Sequence, residues 1–133
     1  PLPRLMPLKN QSIAVIRNYL PEAVLGDAIL NTQKGTVAHA RPPRDSIVRT
    51  SEAAKARWII FPKWVSNAPL KLDPLPQSEV FLLLASNSFN YELLGEAGFK
   101  AITQLVRTCH CYKLVYSDFD SALAMLDKLT DDA

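Results

Sequence analysis

Between Gly35 and Pro42 the chain has room for one short strand and nothing longer. Residues 32–44 read TQKGTVAHARPPR. Lys34-Gly35 marks a turn, and residues 36–40 then alternate, with Val37 and His39 on one face and small residues on the other. Arg41-Pro42-Pro43-Arg44 cannot continue a central strand, because proline brings no N–H to the ladder. Three cations and a histidine therefore gather around a single strand. Ammonium and guanidinium groups at one sheet edge suit a phosphate or a carboxylate. Lys34, Arg41, Arg44 and His39 are thus the candidate phosphate- or substrate-binding residues, with a packed, hydrogen-bonded role as the other reading of His39. A straight strand would hold Lys34 and Arg41 roughly 20 Å apart, so their convergence requires a bend, a neighbouring strand or long side-chain reach. Arg41 and Arg44 form the closer pair.

The 133 residues suffice for one domain with a real core, and the expectation is a single domain over 1–133. Apolar residues at 48% and charged residues at 21% argue against both disorder and a membrane protein. The longest apolar run, residues 80–85, is far short of the roughly 18 needed to span a bilayer. No signal peptide is visible, and a start at Pro1 rather than Met suggests a trimmed sequence with a missing N-terminal portion. Charge is unevenly spread: residues 1–71 carry a net +7 and residues 72–133 a net −5. That asymmetry reads either as a face for anionic groups or an acidic partner, or as two ordinary solvated faces.

Cys109 and Cys111 flank His110, too close in sequence for a relaxed disulfide. A reduced, cytoplasmic setting fits them. As a metal site Cys-His-Cys lacks the second ligand pair of a zinc centre, so two packed thiols are expected.

Along the chain, residues 1–7 read as an extended arrival. Asn10 or Ser12 caps a helix reaching Leu20, with Ile13, Ile16 and Leu20 on one face. Residues 23–30 are ambiguous. Residues 58–61 form a buried strand, after which Pro62, Pro69, Pro74 and Pro76 punctuate an irregular connection. Trp58 and Trp64 are expected in packing rather than stacked on a base, and the basic residues lack the interleaved aromatics of a nucleic-acid surface. From Gln77 the pattern turns helical, with Val80, Leu83, Leu84 and Tyr91 in one stripe. Gly95 and Gly98 make the turn before a helix bearing Phe99, Ile102, Leu105 and Val106. Phe89, Tyr91 and Phe99 are expected at the helix junction. Residues 111–116 alternate as a strand, and Ser117 caps a last helix that buries Ala122, Met125, Leu126 and Leu129. Asp118 and Asp120 cap that helix rather than form a catalytic carboxylate pair. The fold class expected is mixed α/β, short strands with flanking helices.

No catalytic motif is present: no GxxxxGK[ST], no GxSxG and no HExxH. In order, however, PLKNQSIAVIR, TQKGTVAHARPP, RWIIFPKWV, LLLASNSFNYELLGEAGF and CHCYKLVYSDFDSAL resemble the C-terminal part of the HprK-related kinase A family. More distantly, the chain is similar to HPr kinase/phosphorylase. Lys34-Gly35 stands where that family has Arg-Gly before a strand, and SEVFLLLASNSFN where it has a helix ending in Ala-Ala-x-Asn-Phe. The resemblance implies the HPr kinase and phosphoenolpyruvate carboxykinase fold and a bacterial, exopolysaccharide-associated, ATP-dependent kinase. It places the phosphate loop, with its ATP and magnesium, in a portion N-terminal to the matched region. The present chain is then a C-terminal subdomain that supplies scaffold and phosphate-facing cations, inactive alone and without a cofactor of its own. The candidate partners are the P-loop portion, a protein phosphoacceptor and a second copy of the chain, not nucleic acid or membrane. The rival reading is a non-catalytic module for an anionic ligand or an acidic protein.

Overall fold

Two three-stranded sheets and five α-helices make up the described residues, 3–88 and 90–131, of the computed structural model. The mixed α/β class expected from the sequence is what forms. The chain divides into two compact units, Pro1–Ala54 and Lys55–Ala133. This division redistributes the charge. The first unit holds seven Lys/Arg against four Asp/Glu, and the second eight against nine. Lys55, Arg57, Lys63 and Lys71 fall in the second unit, so the steep imbalance between the two sequence halves is not one between the units.

In the first unit, strand β1 (Met6–Lys9) leads into helix α1 (Gln11–Tyr19). Strands β2 (Ile29–Thr32) and β3 (Gly35–Ala40) follow, then the short helix α2 (Arg44–Val48). The sheet order is β1-β3-β2, antiparallel throughout. The ambiguous segment 23–30 proves extended: Leu25 bridges Ala40, and β2 begins at Ile29. As the alternation predicts, Ala38 and Ala40 share one face of β3, and it is this small-residue face that is buried. Ile13 of α1 is the large buried side chain here, and its burial contributes about 2 kcal/mol. The edge of β1 is closed to further pairing. Pro7 has no N–H to offer, and the Ser12 hydroxyl occupies both Lys9 main-chain groups, at 2.8 and 2.7 Å. Ser12 is thereby engaged away from a capping role.

In the second unit, strands β4 (Trp58–Trp64) and β5 (Lys71–Pro74) precede helices α3 (Gln77–Asn87) and α4 (Tyr91–Thr108). Strand β6 (His110–Tyr116) and helix α5 (Phe119–Asp131) complete it. The order is β4-β6-β5, with β4 parallel and β5 antiparallel to β6. The irregular connection expected after residue 61 does not form there. Strand β4 runs through Pro62 to Trp64, and β5 ends on Pro74. Both are edge strands, where a missing N–H is tolerated. Main-chain bonds from His110 to the Arg57 carbonyl and from Val65 to the Tyr116 carbonyl orient odd-numbered residues of β4 toward β6. The Pro62 nitrogen consequently faces outward.

Val80, Ile102, Val106 and Cys111 form the core of this unit, with Ile59, Phe61 and Leu84 packed around them. Phe81, absent from the predicted stripe, is the hub of the aromatic packing. Tyr91 and Phe99 both meet it edge-on, at ring separations of 6.3 and 5.4 Å. Phe89 lies outside the described residues. Only one of the two expected turn glycines makes the turn. Gly95 kinks α4 at φ 48° and ψ −121°, whereas Gly98 is helical and buried. A Cβ on Gly98 would stand 3.2 Å from both the Leu94 Cβ and the Tyr91 carbonyl. The last helix is capped by Asp118, not Ser117. Asp118 accepts the Ser121 N–H at 2.7 Å, while the Ser117 hydroxyl turns away to donate to the Ala68 carbonyl. Ala122 is buried and Met125, Leu126 and Leu129 are half-buried, the expected stripe.

Candidate functional site

Lys34 sits in the two-residue connection between β2 and β3, and its backbone is tied on both sides. The Lys34 N–H donates to Thr32 Oγ1 at 3.1 Å, and that same hydroxyl donates to the Gly35 carbonyl at 2.6 Å. From the far side, Asn10 reaches across from the junction of β1 and α1. Its Oδ1 accepts the Thr36 N–H at 3.0 Å, its Nδ2 donates to the Lys34 carbonyl at 3.5 Å, and its own N–H donates to the Thr36 carbonyl at 2.9 Å. The carboxamide occupies the space beside Gly35 so completely that a Cβ there would stand 2.3 Å from Oδ1. Gly35 also has φ +83°, a region L side chains rarely adopt, so both sterics and backbone select glycine. Asn10 is the partner of this corner that sequence reasoning missed. Read locally it is a helix cap, and nothing in its neighbourhood points to partners 24 and 26 residues away.

Lys34 itself is exposed, and its ammonium forms no ion pair among the described residues. The structure does not bring it to the other candidate cations. β3 keeps a continuous register against β1, and the register shift in its pairing with β2 adds the extra residue to β2, between Ile29 and Thr32. Lys34 and Arg41 flank opposite ends of the six-residue strand. Arg41 and Arg44 remain together on either side of Pro42 and Pro43, both exposed and neither in an ion pair among the described residues. His39 lies on β3 opposite Pro7, half-buried, and its carbonyl accepts the Gly26 N–H at 2.9 Å.

A cleft of about 680 Å³ opens at the Pro42 end of the same unit. Leu5, Met6, Pro42 and Pro43 contribute its apolar wall. Arg4 and Arg49 are balanced there by Asp45 and Glu52, and Arg49 is already held by Glu52 at 2.7 Å. Neither Arg41 nor Arg44 lines it, so the candidate cations do not open onto this cleft.

In the second unit the thiols are engaged locally. Cys109 donates to the Ala56 carbonyl and Cys111 to the Cys109 carbonyl, each at 3.4 Å. Burial, reinforced by the neighbouring Cys109, pushes the Cys111 thiol above its ordinary value. No three His, Cys, Asp or Glu side chains gather around a common point among the described residues. Trp58 is half-buried with the Arg57 guanidinium 5.0 Å above its ring. Trp64, expected in packing, is instead exposed at the end of an edge strand. Its indole N–H donates to the Ser117 carbonyl at 3.1 Å. Among the described residues no helix is long and apolar enough to cross a membrane.

No family model matches the sequence, no curated protein is similar to it, and no solved structure matches the fold.

Proposed function

We propose that this chain is the C-terminal portion of an ATP-dependent kinase related to HPr kinase, in which Lys34 faces a phosphate of the donor or the acceptor. The observation that carries the reading is an exposed ammonium, without an ion pair among the described residues, on a corner whose backbone is over-determined by Thr32 and Asn10. Phosphoryl transfer is catalysed chiefly by positioning and charge neutralisation, and a cation whose backbone anchor is set before the ligand arrives leaves only its side chain to be ordered. Lys34 would bind and orient the phosphate, not form a bond to it.

The residues present do not fit magnesium or an ATP phosphate cradle. The sequence holds no GxxxxGK[ST], and among the described residues no carboxylate cluster offers itself to a metal. No step is therefore assigned to these groups in this chain; on this reading a phosphate loop would come from residues outside it. The same two observations favour a second reading, a non-catalytic module that uses Lys34 to hold an anionic ligand or an acidic protein.

The decisive test has two parts. The residues that precede Pro1 in the gene are read for GxxxxGK[ST], and the longer protein is assayed for kinase activity with and without Lys34→Met. A phosphate loop together with a roughly tenfold or greater fall in kcat/KM supports the kinase. A longer protein without the motif and without ATP turnover removes the kinase reading and leaves the binding module. The 133-residue chain alone is expected to show no low-micromolar Mg-ATP site by calorimetry, because the backbone cradle is missing.

A further inference from the structure

Asn10 adopts φ 48° and ψ −121°, a conformation suited to glycine. The molecule uses those same angles once more, at Gly95, where no atom lies within 4 Å of the place a Cβ would take. A positive φ by itself does not demand glycine in this chain, since Asn31 and Asn67 also adopt one, each at 56°. What marks position 10 is that its carboxamide bonds a segment distant in sequence, work that glycine cannot do.

That work is not helix capping. Asparagine is among the favoured N-cap residues, yet the Asn10 side chain makes no capping bond to α1. Its carboxamide is directed wholly at the far hairpin: Oδ1 to the Thr36 N–H and Nδ2 to the Lys34 carbonyl. These two bonds bracket Gly35 and fix the peptide planes on either side of it. The third link, from the Asn10 N–H to the Thr36 carbonyl, is main-chain and would survive any substitution except proline.

We propose that Asn10 is a positioning residue, kept in a strained conformation so that its carboxamide holds the Lys34–Gly35 corner ready for a phosphate group. The inference rests on the reading of Lys34 as an anion contact. Asn10 touches no ligand itself; it acts through the backbone of residues 34–36. Strained backbone persists where the surrounding structure over-determines it and is concentrated at functional sites. Pre-organisation of this kind raises affinity by removing the ordering cost from the binding step.

Glycine at position 10 separates the two effects. Asn10→Gly relaxes the backbone and keeps the main-chain bond, but it loses both carboxamide bonds. Its melting temperature is expected to equal or exceed that of the native chain, while the affinity of the corner for inorganic pyrophosphate falls roughly three- to tenfold. The measurement is an amide NMR titration of the full 133-residue chain, accompanied by hydrogen exchange at Thr36, which should quicken about tenfold or more in the variant. Lys34→Met is run in parallel and should lose about tenfold or more in affinity. If Lys34→Met loses affinity and Asn10→Gly binds as the native chain does, the positioning role is overturned and the Lys34 reading stands. If the native chain shows no saturable shift at residues 33–36, or Lys34→Met binds unchanged, the Lys34 reading fails and the positioning role goes with it. Should Asn10→Gly not fold, Asn10→Asp replaces it. The aspartate keeps the Thr36 acceptor and loses the Lys34 donor, and native affinity in that variant overturns the role.

Discussion

The two units solve the same backbone problem differently. At Gly95 the helix α4 must kink, and a glycine makes the kink in open space. At the Lys34 corner two residues act jointly. Gly35 takes the left-handed turn, and Asn10 takes a strained conformation to lie against it. The first arrangement is local and tolerates change around it. The second is a lock between segments 24 and 26 residues apart, in a unit whose buried side chains are few and mostly small. Where the core is thin, polar contacts to the backbone define the geometry, and that geometry presents a cation.

The largest effect should follow from breaking the lock. Gly35→Ala imposes a side chain at φ +83° and drives a Cβ to 2.3 Å from Asn10 Oδ1. The carboxamide must leave, and both of its bonds go with it. Strain plus lost hydrogen bonds amount to about 2–4 kcal/mol. Urea denaturation followed by amide signals of residues 6–40 should show that loss; a change below about 1 kcal/mol would mean that the corner is soft.

The glycines of α4 provide the contrast within the second unit. Gly98→Val forces branched bulk against the Leu94 side chain and the Tyr91 carbonyl, both already 3.2 Å from a modest Cβ. Overpacking of this kind costs about 1–3 kcal/mol. Gly95→Ala meets no atom and carries backbone strain alone, about 1–2 kcal/mol. Gly98→Val is therefore expected to melt lower than Gly95→Ala. The reverse order would show that α4 shifts to make room at position 98 and that the kink is the rigid point.

Much of the architecture was legible because local rules act alone there. The Pro-Pro stop after β3, the alternation that sorts Ala38 and Ala40 from Val37 and His39, and the buried Ile102–Val106 pair of α4 all rest on short-range sterics and periodicity, whereas Phe99 and Leu105 of the same expected stripe are exposed. What escaped depends on partners distant in sequence. Pro62 and Pro74 read as breaks, since nothing local says that β4 and β5 are edges. Ser117 and Asp118 offered two caps for one helix, and the Ala68 carbonyl settled the choice by claiming the Ser117 hydroxyl. Lys34 was legible as a candidate from its turn, but its separation from Arg41 follows from β3 running its full length between them, in continuous register with β1. Asn10 was not legible at all, because its partners lie on another hairpin.

Asp118 tests a lock of the local kind. Hydrogen bonds from Ser121, its hydroxyl first and its main-chain N–H second, hold the Asp118 carboxyl below its ordinary value of 3.8. A carboxylate whose folded value is depressed contributes stability that is fully present above the unfolded value. That contribution is lost as the pH falls through the folded value, so the window opens just below about pH 4. Asp118→Ala should lower the melting temperature modestly at about pH 7, and the gap from the native chain should narrow on acidification below that point. A gap of constant size down to about pH 2 would show that the carboxylate charge plays no part in the cap.

The smallest effect on folding is expected where the cations are least engaged. Arg41 and Arg44 are exposed, form no ion pair among the described residues, and line no cleft that would desolvate them. The Arg41 N–H bonds to the Val24 carbonyl through the main chain, which alanine retains. Exposed charges contribute little to stability, so Arg41→Ala with Arg44→Ala should change it by less than about 0.5 kcal/mol. The pair also stands at the end of β3 away from Lys34, beyond the reach of the Asn10 lock. Pyrophosphate affinity at residues 33–36 should therefore remain within about twofold of native at moderate salt, where charges so far apart are screened. A larger fall, persisting at about 0.5 M salt, would show that the two ends of β3 act as one anion-binding surface. Turnover by the longer protein then distinguishes what remains. A raised KM with an unchanged kcat gives Arg41 and Arg44 their own contact with a substrate, and unchanged kinetics leave them as a solvated face.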